Sequence, residues 1–329
     1  MISLGIESSA HTFSVALVND KGEILAEARD MYTREDGGII PADAARHHRE
    51  IKERLLEECL NQAKLFINNI NIISLTCGPG LSPCLLTGME LAKKLAKENN
   101  LPLTPVEHLI GHVEIGKLLT KAKDPVCILA TGANTQIIAY DSGRYRIFGE
   151  TLDIGIGNAL DKFGRAIGLG FPAGPKIEEL AKNGKFIDLG YVVKGMDLSF
   201  SGILTKAIEL SKKNIKKEDL CCSLQEIYFS MLTEVAERAM AHTNKNEALL
   251  IGGVAANKRL IEMLNIMCRE RNAKFYFVPL KYSGDQAAMI AYTGLLQYKS
   301  NKQYYNNLDI NKIDINPNWR VEQVEINYL

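Results

Sequence analysis

Residues 126–150 read VCILATGANTQIIAYDSGRYRIFGE. An apolar run is followed by a small polar loop (TGANT), a second apolar run (QIIAY), a tight turn (DSG) and a third extended segment (RYRIFGE). Apolar, β-branched stretches separated by Gly, Asn, Asp and Ser predict a three-stranded meander. The chain opens on the same plan over residues 2–29: ISLGIE, SSAH, TFSVALV, NDKG, EILAEAR. The two copies share pattern rather than identity. A repeated meander whose first turn is rich in small polar residues suggests two related lobes, each aiming that turn at a shared cleft. Such loops expose backbone N–H groups, which suits a phosphate. Two ordinary hairpins are the alternative reading of either loop taken alone.

Between and after the meanders, strands alternate with helices. ARHHREIKERLLEECLNQAKLF has helical apolar spacing, NIISLTCGPG is a strand running into Gly-Pro-Gly, and PCLLTGMELAKKLAKEN is helical. Later come a long amphipathic helix (CSLQEIYFSMLTEVAERAMAHT), a strand–turn–helix unit (EALLIGGVAANKRLIEMLNIMCRE) and a final helix in SGDQAAMIAYTGLLQY. Alternation of this kind predicts an α/β fold. At 329 residues, two lobes are the better expectation. The boundary is placed near Lys123–Pro125, giving an N-terminal lobe over 1–124 and a C-terminal nucleotide-binding lobe over 125–299. The polar tail, 300–329, is expected to pack back on the surface.

Composition excludes several classes. Apolar residues make up 46% of the chain and charged residues 24%, the balance of a globular protein with an ample core. Lys plus Arg and Asp plus Glu are both 39, so the formal net charge is zero. That argues against coating nucleic acid by bulk charge and predicts no DNA partner, but leaves room for a local basic patch. The seven cysteines contain no C-x-x-C and read as small core residues of a reduced, cytoplasmic compartment. MISLGIESSA lacks a basic n-region, and no apolar run approaches the ~20 residues of a membrane span.

The chemistry begins at VEHLIGHVE, residues 106–114. His108 and His112 stand at i and i+4, which on a helix puts two imidazoles on one face, as a divalent metal requires. A solvated pair is the alternative. Two ligands are too few, and Asp285 in YSGDQAAM is a candidate third, as either a ligand or a helix N-cap. A zinc protease would need Glu directly after the first histidine; Leu109 stands there. GETLDIGIGNALDKFGRAIGLGFPAGPKIEELA (149–181) sets Asp153, Asn158, Asp161 and Glu178 among glycines, a pattern that suits a ribose and its phosphate. GGVAAN (252–257) offers close backbone approach at Gly and a paired donor and acceptor at Asn257.

These strings together resemble a known family. GPGL (78–81), VEHLIGHVEIGK (106–117), FGETLDIGIGNALDKFGR (148–165), GLGFPAGP (168–175), VKGMDLSFSG (193–202), LLIGGVAANKRLIEML (249–264) and AMIAYTGL (288–295) are similar, in order, to the tRNA threonylcarbamoyladenosine biosynthesis proteins of the archaeal and eukaryotic KEOPS complex. The resemblance implies a two-lobed actin/Hsp70/sugar-kinase fold of duplicated ribonuclease-H-like lobes with a cleft between them. It implies transfer of the threonylcarbamoyl group of threonylcarbamoyl-AMP to N6 of the adenosine 3′ of the anticodon, releasing AMP. His108, His112 and Asp285 match the family's metal ligands, for iron or zinc. Thr131, Gly132 and Ala133, with Leu129 and Ala130 leading into them, match its phosphate loop. Asp161, Gly174, Glu178 and Asn257 match its contacts to the bound nucleotide, ATP or threonylcarbamoyl-AMP. Expected partners are tRNA, a small protein kinase subunit and the other KEOPS subunits. The catalytic base is not assigned.

Four positions depart from the family pattern. Leu129 replaces a tyrosine able to touch the metal, Thr131-Gly132-Ala133 replaces Ser-Gly-Gly, Asp285-Gln286-Ala287 replaces Asp-Asn-Gly, and Leu86 replaces an arginine. A phosphotransferase of the same fold, acting on a small molecule with ATP, and a non-catalytic nucleotide-binding subunit are the alternative functions.

Overall fold

The structure, a computed structural model, describes residues 1–34 and 38–329. Three antiparallel strands open the chain: β1 (Ile2–Glu7), β2 (Thr12–Asn19) and β3 (Ile24–Met31). Helix α1 (Pro41–Ala63) leads to β4 (Ile72–Gly78), which pairs parallel to β1. Helix α2 (Ser82–Asn99) leads to β5 (Leu103–Glu107), parallel to β4. The strand order is β3-β2-β1-β4-β5. Helix α3 (His108–Thr120) follows without a loop.

The second meander is β6 (Val126–Ala130), β7 (Thr135–Asp141) and β8 (Arg144–Glu150). Helices α4 (Ile156–Ala166) and α5 (Gly174–Ala181), a short hairpin of β9 (Val193–Lys194) and β10 (Asp197–Leu198), and helices α6 (Ser201–Ser211) and α7 (Lys217–Thr243) come next. Strand β11 (Glu247–Ile251), helix α8 (Lys258–Glu270) and strand β12 (Lys274–Phe277) complete a sheet of order β12-β11-β6-β7-β8. Read from the third strand of each meander, the two sheets have the same order and the same strand directions. The duplicated α/β fold expected from the sequence is therefore present. In the DSG turn Ser142 and Gly143 both take positive φ (50° and 82°), the conformation a two-residue hairpin needs.

Each sheet is covered on both faces, which is why its central strands read as continuous apolar runs rather than as alternation. On the first sheet, Leu4, Ile6, Phe13 and Val15 pack with residues of α1 and α2, and Ala16, Val18 and Ile72 with α9 (Ala287–Ser300). On the second, Val126, Ile128 and Leu250 pack beneath α4–α8, and Cys127, Leu129, Leu249 and Ile251 against Leu109, Ile110 and Val113 of α3.

The covering helices do not follow the linear order of the chain. Helix α9 lies in the second half of the sequence but covers the first sheet, and α3 lies in the first half but covers the second. Small residues make the crossing possible. A β-carbon on Gly5 would lie 2.3 Å from the Ala287 carbonyl oxygen, and one on Gly294 2.0 Å from Ser74 Oγ. After α9, α10 (Lys302–Asn307) leads into a tail that touches both lobes. Asn316 N–H donates to Cys77 O (2.7 Å), Gly80 N–H to Pro317 O (3.1 Å) and Ile326 N–H to Gly143 O (2.8 Å).

Candidate metal centre and phosphate loop

Helix α3 starts abruptly at the end of β5 because Glu107 caps it, its Oε2 accepting from Ile110 N–H at 2.7 Å. The first helical residue is therefore His108, and His112 sits one turn further on, both buried. Gly111 lets α9 approach, since a β-carbon there would come within 3.0 Å of Ile290 Cδ1. Asp285, in the turn before α9, is thereby brought to both histidines: its Oδ1 lies 3.4 Å from His108 Nε2 and 3.3 Å from His112 Nε2. The two imidazoles meet edge to face, 4.8 Å between centroids.

Glu7, at the end of β1, is a residue the sequence reading does not place at the site. It is fully buried, and its Oε2 lies 3.1 Å from His108 Nδ1. Ser9 N–H donates to Glu7 Oε1 at 2.6 Å, the Thr76 hydroxyl donates to Glu7 Oε2, and Ser9 Oγ lies 3.2 Å from His108 Nδ1. Burial alone would raise the Glu7 pKa; the charge of His108 and its hydrogen bond outweigh that and hold the carboxyl below its ordinary value. Burial likewise works against the Asp285 carboxylate, but both histidines keep it well below its usual range. Burial opposes protonation of His108, but Glu7 and Asp285 on either side raise its pKa well above the ordinary value. Burial leaves that of His112 lowered. Burial pushes the Glu107 carboxyl up to about 8, outweighing the hydrogen bonds from Ile110 and Leu109 N–H and the charge of His108.

A divalent transition metal fits this donor set. Two Nε2 atoms and one carboxylate oxygen, all within 4.8 Å of one another, converge on one point, and among the described residues they form the one such group of three or more. Two imidazoles with one carboxylate suit iron or zinc and leave coordination positions for a ligand. Glu7 behind His108 supplies the carboxylate–histidine contact that fixes the tautomer and ring orientation of such a ligand. Among the described residues no further His, Cys, Asp or Glu joins these three, and the Leu129 side chain lies in the core.

The TGAN loop follows β6. Thr131 N–H and Oγ1 both donate to Asn134 O, and Asn134 N–H donates to Thr131 Oγ1. The start of α4 clamps it from below, Gly157 N–H donating to Thr131 O (3.2 Å) and Asn158 N–H to Gly132 O (3.0 Å). Gly132 and Ala133 form its exposed crest. Leu129 and Ala130, which lead into the loop, are fully buried in β6, and their side chains fill opposite cores.

Asp161 Oδ1 accepts from Ala173 N–H at 2.8 Å and so ties α4 to the start of α5, where Gly174 lies. Glu178 Oε1 accepts from Lys258 N–H at 2.9 Å. Asn257 is the N-cap of α8: its Oδ1 accepts from Arg259 and Leu260 N–H, and its Nδ2 donates to Gln225 Oε1. Most of its amide is thus spent on the fold, and one amide hydrogen is left for a ligand. Gly174 and Gly253 have ordinary φ and no atom within 4 Å of a built β-carbon, and Gly132 has only Asn158 Oδ1 at 3.3 Å. The backbone at these three glycines is open on the side a β-carbon would fill, which leaves room for a flat nucleotide to lie against it.

Glu7 is the last residue of β1, and His108, Asp285, the TGAN loop and Gly252–Gly253 follow the C-terminal ends of β5, β12, β6 and β11. That is where open α/β sheets hold ligands. Solved structures share the fold. The chain superposes on component A of (R)-2-hydroxyglutaryl-CoA dehydratase from Acidaminococcus fermentans with a TM-score of 0.57 at 14% identity, covering 91% of this chain and 99% of that one. On full-length HypF the TM-score is 0.61 at 13% identity, over 92% of this chain and 47% of that one. Among the described residues no helix is long and apolar enough to cross a membrane.

The sequence comparisons are more specific. Residues 23–292 match the family model TsaD, tRNA N6-adenosine threonylcarbamoyltransferase. The tRNA N6-adenosine threonylcarbamoyltransferase of Archaeoglobus fulgidus is 49% identical over 329 residues, the whole of both chains. That of Methanocella arvoryzae is 50% identical over 99% of this chain and 98% of its own. A probable bifunctional tRNA threonylcarbamoyladenosine biosynthesis protein of Methanosphaera stadtmanae is 50% identical, and this chain spans 61% of its length. The chain belongs to the tRNA N6-adenosine threonylcarbamoyltransferase family of transferases.

Proposed function

We propose that the chain transfers the threonylcarbamoyl group of threonylcarbamoyl-AMP to N6 of the adenosine 3′ of the anticodon in tRNA and releases AMP. The observation that carries this reading is the convergence of His108 and His112 with Asp285 beyond the strand ends where the open TGAN loop also lies. A small-molecule phosphotransferase of the same fold has no use for a buried histidine pair.

The donor carbonyl is already activated as a mixed anhydride, so no protein nucleophile is required. The N6 nitrogen forms the new C–N bond and gives up a proton, the anhydride C–O bond breaks, and AMP leaves with the electron pair. The N–H groups of Gly132 and Ala133 hold the phosphate as charge returns to it. Asp161, through the Ala173 backbone, and Asn257, through α8, set the walls against which ribose and base lie. A metal held by His108, His112 and Asp285 would supply Lewis-acid polarisation of a phosphate or carbonyl oxygen. Glu7 holds the His108 ring so that Nε2 faces Asp285.

The bifunctional names of long relatives and the family's complex favour work alongside a small protein kinase and the other KEOPS subunits, in the cytoplasm. With zero net charge the isolated chain is expected to bind tRNA weakly, less so as salt rises. The test is incubation with threonylcarbamoyl-AMP and unmodified tRNA, with and without those subunits, scoring modified adenosine and AMP. The reading predicts one AMP per modified adenosine. ADP formed from ATP only when a sugar or acid is supplied would replace it with the phosphotransferase, and nucleotide binding without turnover under every combination would replace it with the non-catalytic subunit.

A further inference from the structure

Helix α4 starts under the TGAN loop, Asn158 N–H donating to Gly132 O, and runs away from it. Asn158, Lys162 and Arg165 follow at spacings of four and three residues, so they form one stripe, and all three are exposed. From Asn158 to Arg165 the stripe is about 10 Å long. Neither Lys162 nor Arg165 makes an ion pair or side-chain hydrogen bond among the described residues. Elsewhere long cationic side chains are commonly neutralised by neighbours, as in Arg54 with Asp30, Arg259 with Glu226 and Glu262, and Arg320 with Glu150.

The GLGFP segment folds back along the last turns of α4. Leu169 N–H donates to Gly164 O (2.8 Å), Gly168 N–H to Arg165 O (3.1 Å) and Ala173 N–H to Asp161 Oδ1 (2.8 Å). Lys176 Nζ donates to Leu169 O and Lys217 Nζ to Ile167 O. Between these anchors Phe171 is left 50% exposed. An isolated exposed phenyl ring means little. One carried on a segment anchored at both ends to the helix that bears two unpaired cations, below the TGAN loop, is the combination that grips unstacked RNA: cations for phosphates and an aromatic face for a base.

We infer that the Lys162–Arg165 face of α4 and the ring of Phe171 form the track along which the anticodon loop of tRNA enters the cleft, with Phe171 stacking on an unpaired base beside the target adenosine. This rests on the proposed reaction, and the test separates the two by measuring RNA binding as well as turnover. An anticodon stem-loop RNA is titrated into the full chain, wild type and variants, across a salt series. Lys162→Glu with Arg165→Glu should weaken binding roughly tenfold or more at low salt and lower the slope of log affinity against log salt by about 1.5. Phe171→Ala should weaken binding about fivefold or more with the slope unchanged, and Phe171→Trp should restore it. Lys212→Glu with Lys213→Glu makes the same charge change elsewhere and should do much less. Thermal unfolding and the shift caused by AMP verify that each variant is folded and holds nucleotide. Unchanged binding in the α4 and Phe171 variants, or equal losses from both charge reversals, overturns the track. Loss of a protein subunit from the assembly with RNA binding intact overturns it in favour of a protein interface. Wild type that binds the stem-loop through these residues but modifies no tRNA sinks the reaction and leaves the track standing.

Discussion

The two meanders end their first strands in matching places, and they use those places differently. In the first lobe the last paired position is Glu7 opposite Ser14; in the second it is Ala130 opposite Thr135. The loop of the first lobe, residues 8–13, is two residues longer than that of the second, 131–134, and is packed shut. Ser8 and Ser9 are buried, Leu81 N–H donates to Ser9 O (2.7 Å), and His48 Nε2 lies 2.9 Å from Ala10 O. The second loop is clamped only from below and keeps Gly132 and Ala133 exposed. Duplication supplied one frame twice. In the proposed reading, a charge at one strand end makes the first copy the support of a metal ligand, and its absence leaves the second copy open to a phosphate.

The sharpest way to break this contrast is to remove the charge that distinguishes the copies. Glu7→Gln keeps the shape but loses the carboxylate that holds His108 Nδ1, and metal affinity should fall about 10- to 100-fold. Competition with a chromophoric chelator measures it, and an unchanged affinity would return Glu7 to a packing role. The next effect concerns how α9 reaches the first sheet. Gly5→Ala places a β-carbon against the backbone of Ala287 and Ala291 and should cost about 1–3 kcal/mol, read by denaturant unfolding. The position two residues before the strand end in the second lobe, Ile128, instead carries a side chain that packs in the core beneath α4–α8.

Much of this was legible in the sequence, for physical reasons that differ by residue. The meanders showed themselves because hairpin turns demand particular residues, as at DSG, and the i, i+4 histidines because helical geometry is local. The crossing of α3 and α9 was not visible, since nothing local says which sheet a helix covers. Gly5 inside an apolar strand was the available hint, because strand glycines mark close backbone approach. Glu7 carried a similar unread signal as a carboxylate ending the buried run ISLGI. Asn257 was noticed for its amide, but its N-cap role depends on where α8 begins, and boundaries are the least local feature of a helix.

The packed first loop also has a pH signature that the second lacks. Burial holds the His48 imidazole down to about 4, with the hydrogen bond to Ala10 opposing. Between that value and the ordinary 6.5 the unfolded chain takes up a proton that the folded chain refuses. This contribution to stability is therefore complete above pH 6.5 and is lost as pH falls towards 4, at no more than about 1.4 kcal/mol per pH unit. His48→Gln should flatten the decline of melting temperature over that window relative to wild type, and parallel curves would contradict the assignment. The smallest effect belongs to the open loop. Ala133→Gly removes an exposed β-carbon from the crest, and should leave metal affinity and melting temperature almost unchanged while increasing the thermal shift given by AMP. No change in that shift would place the phosphate elsewhere.

The claim on which the contrast rests is that the first lobe presents its histidines, through Glu7, to a metal shared with Asp285. Crystals soaked in zinc and measured across its absorption edge test it most directly. The account predicts one strong anomalous peak about 2 Å from His108 Nε2, His112 Nε2 and an Asp285 carboxylate oxygen, absent in His112→Ala. A peak at other residues, or none at this triad at saturating metal, would contradict it.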